Sequence, residues 1–172
     1  MRKLNTENIK EWAGTLRAGD RVLLSGVVYT ARDAAHKRIV GLIENGEKLP
    51  FDIDGAVIYY AGATPAPDGL AIGSCGPTTS SRMDVFTPKL LSLGLMGMVG
   101  KGQRSEETVK AIKNSGAVYF CAIGGAGALA AKSITKCEVI AFPELGCESV
   151  KKIEFKDFFL IVGVDSEGNT IF

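Results

Sequence analysis

Paired cysteines, a second histidine, long apolar runs and an excess of one charge are all missing from this chain. Its four cysteines, Cys75, Cys121, Cys137 and Cys147, stand singly with no C-x-x-C spacing, and His36 is the lone histidine. A structural zinc site or a self-contained iron–sulfur cluster needs closely convergent ligands, so neither is expected and no metal ligand is assigned. Nor does the spacing fit a secreted disulfide framework; buried, reduced thiols of a cytoplasmic protein are the expectation. The amino-terminal MRKLNTENIKEW has no apolar core of a signal peptide. The most apolar stretch, Leu90 to Val99, is about half the length of a membrane span and is broken by glycines. A soluble chain with no membrane partner is therefore expected. Lys and Arg number 20 against 19 Asp and Glu. That balance argues against a broad nucleic-acid surface or an acidic tail, so a function that needs cations must rest on a local cluster.

What is present suits one folded domain over residues 1–172. Hydrophobic residues make up 46% of the chain, enough for a continuous core, and there is no repeat, linker or low-complexity run. The spacing of Ile9, Trp12 and Leu16 predicts a short helix after Asn5 or Thr6. Arg21 to Tyr29 reads as a strand, followed by a helix carrying Ala35, Ile39, Leu42 and Ile43 and ended by Gly46. Ala56 to Ala61 reads as a short strand before a Pro/Gly turn region, residues 62–69. A helix is expected to run from the Gly76 segment to about Gly94, kinked or divided at Pro88. Leu95 to Val99 and Ala117 to Ile123 read as buried strands around a helix from Ser105 to Asn114. A small-residue helix from Ala126 to Ser133 precedes strands near 138–142, 149–155 and 159–164. This alternation predicts an α/β layer with parallel strands, and the end of the chain predicts strands paired by short turns.

Polar residues gather where these elements meet loops. Gly76-Pro77-Thr78-Thr79-Ser80-Ser81-Arg82-Met83-Asp84 holds a turn, four consecutive hydroxyls, an arginine and an aspartate. A turn leading into a helix presents free N–H groups at the positive end of the dipole, which suits an anion. The plain alternative is a Ser/Thr-capped helix start. Arg32 stands in Thr30-Ala31-Arg32-Asp33-Ala34-Ala35-His36, at a helix start where a cation is unfavourable. Pointing into a cleft would explain it; a solvated arginine is the alternative. His36, one turn later, can share its face. Gly100-Lys101-Gly102 puts a lysine between glycines directly after a strand, where ligands of α/β sheets bind. It is not a phosphate-binding P-loop, because Gly102 replaces the Ser or Thr and the glycine spacing is wrong. Gly125-Ala126-Gly127-Ala128-Leu129-Ala130 fits the dinucleotide pattern, with Glu144 near the acidic position. Too few residues follow for a Rossmann half, and a tight turn with close helix–strand packing is the favoured account of the glycines. Arg32, Arg82 and Lys101, with Thr78 and Thr79, would all be explained by one small dianion.

The motifs TARDAAHKR, IYYAG, GPTTSSRMD, GKG, GGAGAL and FPELGCE resemble, in order and over residues 5–165, those of the iron–sulfur hydro-lyases. The resemblance is to the β subunit or C-terminal domain of the class I fumarate hydratase and L(+)-tartrate dehydratase group. One departure is Ala63, where the family has proline after Gly62. The resemblance implies a swivelling β/β/α domain: three layers with a mainly parallel central sheet, a second sheet and helices. It implies a [4Fe-4S] cluster held by a partner α subunit, with two α and two β subunits in the assembly. It implies reversible hydration of a C4 dicarboxylate, fumarate to malate or a tartrate dehydration. Arg32, Arg82 and Lys101 would bind the substrate carboxylates, and Thr78, with Lys101, would serve the proton transfer. Asp33, His36, Thr79 and Asp84 would stand behind them. The rival readings are a non-catalytic carboxylate- or phosphate-binding module and a dinucleotide-binding domain.

Overall fold

A computed structural model describes residues 1–172. Seven strands form one connected, mixed sheet: β1 (Arg2–Asn5), β2 (Arg21–Thr30), β3 (Val57–Tyr59), β4 (Gly97–Gly100), β5 (Val118–Cys121), β6 (Ile134–Ala141) and β7 (Val150–Val164). Their order is β1-β2-β3-β4-β5-β7-β6, and β2 also pairs with β7. The four pairings from β1 to β5 are parallel. The three pairings made by β7, with β2, β5 and β6, are antiparallel.

Strands β3 to β5 are apolar on both faces, as parallel strands covered on two sides must be. Val57, Tyr59, Val99, Val118 and Phe120 point into one core, which includes Trp12, Leu16, Phe155 and Leu160. Their neighbours Ile58, Tyr60, Met98 and Tyr119 enter a second core with Ile39, Met83, Leu90 and Ile112. Full burial of each such aliphatic or aromatic side chain contributes about 1.5–3 kcal/mol. Two buried faces thus hold the short parallel strands in register.

The helices are α1 (Ile9–Trp12), α2 (Asp33–Glu44), α3 (Thr87–Ser92), α4 (Glu106–Ser115) and α5 (Gly127–Lys132). Helix α4 starts where Ser105 accepts a hydrogen bond from the Thr108 amide at 3.2 Å, and it ends at left-handed Gly116. The expected helix up to Gly94 is divided: a 3-10 turn, Ser80–Met83, then α3 with Pro88 in its first turn. Proline is tolerated there because the first helical N–H groups have no intrahelical acceptor.

One strand lies outside the sequence reading, and two expected strands are one. The first residues form strand β1, parallel to β2 from Arg2↔Val22 to Asn5↔Ser25, before a 3-10 turn (Thr6–Asn8) leads to α1. The strands expected at 149–155 and 159–164 are one strand, β7. Between them lies a bulge and not a turn: Asp157 takes φ 48° and its amide donates to Ser25 Oγ at 2.9 Å. Aspartate tolerates that left-handed conformation better than most residues.

Candidate active site

The residues singled out at loop junctions gather at the carboxyl ends of the parallel strands. Strand β2 runs into Ala31 and Arg32, β3 into Tyr60, Ala61 and Gly62, and β4 into Lys101. The Gly76 segment threads between the last two. Pro77 bridges Ala61, the Thr78 amide donates to Tyr60 O at 2.7 Å, and Thr79 bridges Lys101. The Ser80 amide then donates to Lys101 O at 2.9 Å. Extended chain therefore replaces the N-terminal helix turn expected here, and its amides serve the neighbouring strand ends. Thr79 caps only the four-residue turn Ser80–Met83, with no side-chain cap bond.

The four hydroxyls of the segment divide by surroundings. Thr78 is half-buried and Thr79 and Ser81 are exposed, whereas Ser80 is fully buried. Ser80 Oγ is hydrogen-bonded to Tyr119 Oη at 2.8 Å, so its hydroxyl belongs to the core. Asp84 likewise has a structural task. Its carboxylate accepts from Arg104 Nε at 2.6 Å and from the Ser105 amide at 2.8 Å. Arg104, unremarked in the sequence, is buried against the Tyr60 and Tyr119 rings at 5.3 and 4.9 Å. No motif signals it; only its pairing with Asp84 reveals it.

Arg32 precedes α2 in extended conformation, so Asp33 and not the arginine occupies the first helical position. A carboxylate suits the positive end of the dipole. Asp33 Oδ1 accepts from Arg82 Nε at 3.0 Å, joining the two motifs. Arg32 lies 3.7 Å from Asp33 Oδ2 and 3.8 Å from Glu148 Oε1, beyond hydrogen-bond reach of both. Lys101 has no carboxylate ion-pair partner. Close packing sets two of these side chains: a Cβ on Gly62 would meet Arg32 Cδ at 3.3 Å, and one on Gly124 would meet Lys101 Cδ at 3.3 Å.

His36 is fully buried, edge-on to Tyr60 at 5.4 Å. Its Nδ1 lies 2.9 Å from Arg32 O, an atom that only accepts, so Nδ1 carries the proton. Burial, with the Arg104 charge nearby, lowers its pKa to about 4 against the pull of the Arg32 carbonyl and Asp33. The ring is therefore neutral and braces the turn that presents Arg32. Four buried side-chain polar atoms have no hydrogen-bond partner: Arg32 Nε, Asp33 Oδ2, His36 Nε2 and Glu148 Oε1. All belong to Arg32 or to residues in contact with it. Buried polar groups are ordinarily satisfied, so this is where the chain leaves a hydrogen-bonding requirement unmet, with Arg32 facing both carboxylates at ion-pair distance. Glu148 closes the FPELGCE motif, and nothing in that motif's sequence signals its place beside Arg32.

The dinucleotide-like glycines do a different job. Helix α5 has six residues and leads into antiparallel β6, not into a further parallel unit. A Cβ on Gly127 would run into Ser74 Oγ and approach the Gly76 amide to 3.0 Å. Gly127 O also accepts from the Cys75 amide at 3.1 Å, so this turn clamps the start of the Gly76 segment. Of the cysteines only Cys75 is fully buried, with burial pushing its thiol up to about 12; Cys147 is exposed, contrary to the expectation for all four. No three His, Cys, Asp or Glu side chains converge as metal ligands, and scattered thiols of this kind do not fit an iron–sulfur cluster. No helix is long and apolar enough to cross a membrane.

A seven-stranded mixed sheet with helices, and cations at the carboxyl ends of its parallel strands where such sheets place ligands, define the class: a mixed α/β protein. Residues 2–172 match the family described as Fumarase C-terminus, and the chain belongs to that family. It is 40% identical to fumarate hydratase 2 of Leishmania major over 96% of this chain and 30% of that protein. It is 43% identical to the aerobic class I fumarate hydratase of Escherichia coli K12, over 88% of this chain and 28% of that one. A Methanocaldococcus jannaschii protein provisionally named L(+)-tartrate dehydratase subunit beta is 39% identical over 99% of this chain and 88% of its own length. The chain thus spans less than a third of the fumarate hydratases it matches, and most of the tartrate dehydratase subunit.

Proposed function

We propose that residues 1–172 form one β-type domain of a hydro-lyase that reversibly hydrates a C4 dicarboxylate, fumarate to malate or, next, a tartrate dehydration. The observation that carries this is the unsatisfied polar cluster around Arg32, joined to Arg82 through Asp33, at the same carboxyl-end edge of the parallel strands as Lys101. The class I fumarate hydratase and tartrate dehydratase subunit names of its relatives agree with it. The chain acts with a partner α subunit in the cytoplasm, as two copies of each. A [4Fe-4S] cluster belongs to that partner, since the donor set of this chain does not fit one. The parallel strands β1–β5 and the antiparallel β2–β7–β6 set serve as the two sheet layers of a swivelling β/β/α domain.

The residues of this chain supply binding and charge stabilisation. Removing a proton next to a carboxylate builds negative charge on that carboxylate in the transition state. Preorganised donors aimed at it stabilise the charge, and removing one donor of this kind costs about 10²–10³ in rate. Arg32 and Arg82 offer planar forks for the carboxylate oxygens, and Lys101 a point charge. Thr78, fixed through its amide to Tyr60 and adjacent to the Thr79–Lys101 bridge, is the candidate proton relay. A threonine hydroxyl is a weak base by itself and needs the neighbouring cations to stabilise its anion. Asp33 holds Arg82, and His36 braces the Arg32 turn.

The test is an anaerobic reconstitution of the chain with its α partner, assayed for fumarate hydration and tartrate dehydration. Turnover of either by the complex, and of neither by the chain alone, is expected. A complete complex that turns over neither substrate would leave a non-catalytic anion-binding module as the better description.

A further inference from the structure

Arg32 stands between two carboxylates that do not bind it directly. Asp33 has Arg82 as a hydrogen-bonded partner at 3.0 Å, but the only cation within 4 Å of the Glu148 carboxylate is Arg32 itself. Glu148 arrives on the 3-10 segment Pro143–Glu148, which joins β6 to β7. Its backbone is unusual: Phe142 takes φ 53°, and Gly146 takes φ 62° with ψ −121°. A bulky residue in the left-handed region persists only where its surroundings enforce it.

Three attachments enforce it here. Arg38 of α2 pairs with Glu144 and lies over the Phe142 ring, 5.0 Å from its centroid. At the other end the buried Lys151 ammonium donates to Cys147 O at 3.1 Å, Ser149 O at 3.3 Å and Ser149 Oγ at 2.8 Å. Thr30, two residues before Arg32, accepts from the Lys151 amide at 3.1 Å, and its hydroxyl faces Ser149 O at 3.4 Å. The strand that carries Arg32 and the segment that carries Glu148 are therefore tied together beside the site. Lys151 has no carboxylate partner; its charge serves the carbonyls of this segment.

A carboxylate held just outside hydrogen-bond reach attracts a guanidinium without occupying its N–H donors. It can orient the fork and leave it open to a ligand. We propose that Glu148 is a positioning residue for Arg32: braced by Lys151 and the 142–148 segment, it pre-orients the guanidinium that grips a substrate carboxylate. This rests on the reading of Arg32 as a carboxylate-binding residue. Glu148 itself does not touch the substrate, and its contribution is the ordering of Arg32 before binding.

A double-mutant cycle in the reconstituted complex tests it. The kcat and KM of Arg32→Ala, Glu148→Ala, Glu148→Gln and the Arg32→Ala/Glu148→Ala pair are measured with the substrate the complex turns over. Glu148→Ala should raise KM about tenfold, a typical coupling within one ion network, with kcat much less affected. Glu148→Gln, which keeps the shape and loses the charge, should fall between. In the Arg32→Ala background, removing Glu148 should change nothing further. A double variant weaker by the full Glu148→Ala factor would mean that Glu148 acts on the fold alone, which overturns the proposal and leaves Arg32 as a binding residue. An Arg32→Ala variant with unchanged KM and kcat would remove the binding role of Arg32 and the proposal with it. Should Glu148→Ala fail to fold, the same cycle with Glu148→Gln decides by the same criterion.

Discussion

Arg104 and Arg32 both flank the Gly76 segment, and they end in opposite states. Arg104 is paired: Nε to Asp84 at 2.6 Å, an Nη to Thr87 Oγ1 at 2.8 Å, and two tyrosine rings against its plane. Arg32 sits among carboxylates at 3.7 and 3.8 Å with its buried Nε unmatched. The first arrangement holds β4, α3 and α4 around one ion pair and has nothing left to offer a ligand. The second keeps its donors free. Charge alone therefore does not separate the two arginines; an unmet hydrogen-bonding requirement does. The same contrast separates Ser80, whose hydroxyl is taken by Tyr119, from half-exposed Thr78 two residues earlier.

Substitutions on either side of the comparison should separate activity from stability. The largest effect is expected at Thr78. Thr78→Val should lose about 10²–10⁴ in kcat, the usual span for a proton-transfer group, while Thr78→Ser keeps most activity and both melt like the parent. Equal activity in the two variants would remove the hydroxyl from the mechanism. Asp84→Ala should act the other way, leaving Arg104 buried and unpaired at a cost of about 3–5 kcal/mol. That lowers Tm by roughly 6–20 °C in thermal unfolding followed by circular dichroism. An unchanged Tm would mean that the pair is not structural.

Arg82→Ala should lower kcat/KM about 10²–10³-fold with little loss of stability, because its side chain is half exposed. A smaller effect is expected from His36. Its folded pKa, near 4, lies below the unfolded value of 6.5. The unfolded chain thus binds the extra proton first. The His36 contribution is present above pH 6.5 and is lost as pH falls towards 4, by about 3 kcal/mol in all. Denaturant unfolding at pH 7 and pH 4.5 should show this loss, and His36→Phe should flatten that part of the slope. An identical pH slope in His36→Phe would assign the loss to carboxylates instead.

Much of the parallel layer was legible, because β3, β4 and β5 are short apolar runs between clear helix signals. Ser105 and Gly116 mark the bounds of α4 in the sequence as they do in the structure. Strand β1 was not legible: Arg2-Lys3-Leu4-Asn5 is mostly exposed and polar, and it is a strand only because the edge of β2 receives it. The β7 bulge was hidden because a left-handed aspartate inside a strand looks, in sequence, like a turn. In the proposed site, Arg32, Arg82, Lys101 and the threonines are readable from glycines and loop junctions. The Asp84–Arg104 pair is not legible because Arg104 lies 20 residues on with no periodic relation to Asp84. Glu148 was passed over because only the fold brings the chain after β6 back to the end of β2.

Arg32→Ala, followed in parallel by kcat/KM of the reconstituted complex and Tm of the chain, tests most directly whether the unsatisfied cluster is a binding site. The expected result is a loss of kcat/KM of about 10²–10³-fold with Tm shifted by no more than about 3 °C, the equivalent of about 1 kcal/mol. A Tm lowered as far as in Asp84→Ala, with kcat/KM preserved, would contradict it and make Arg32 a second structural arginine.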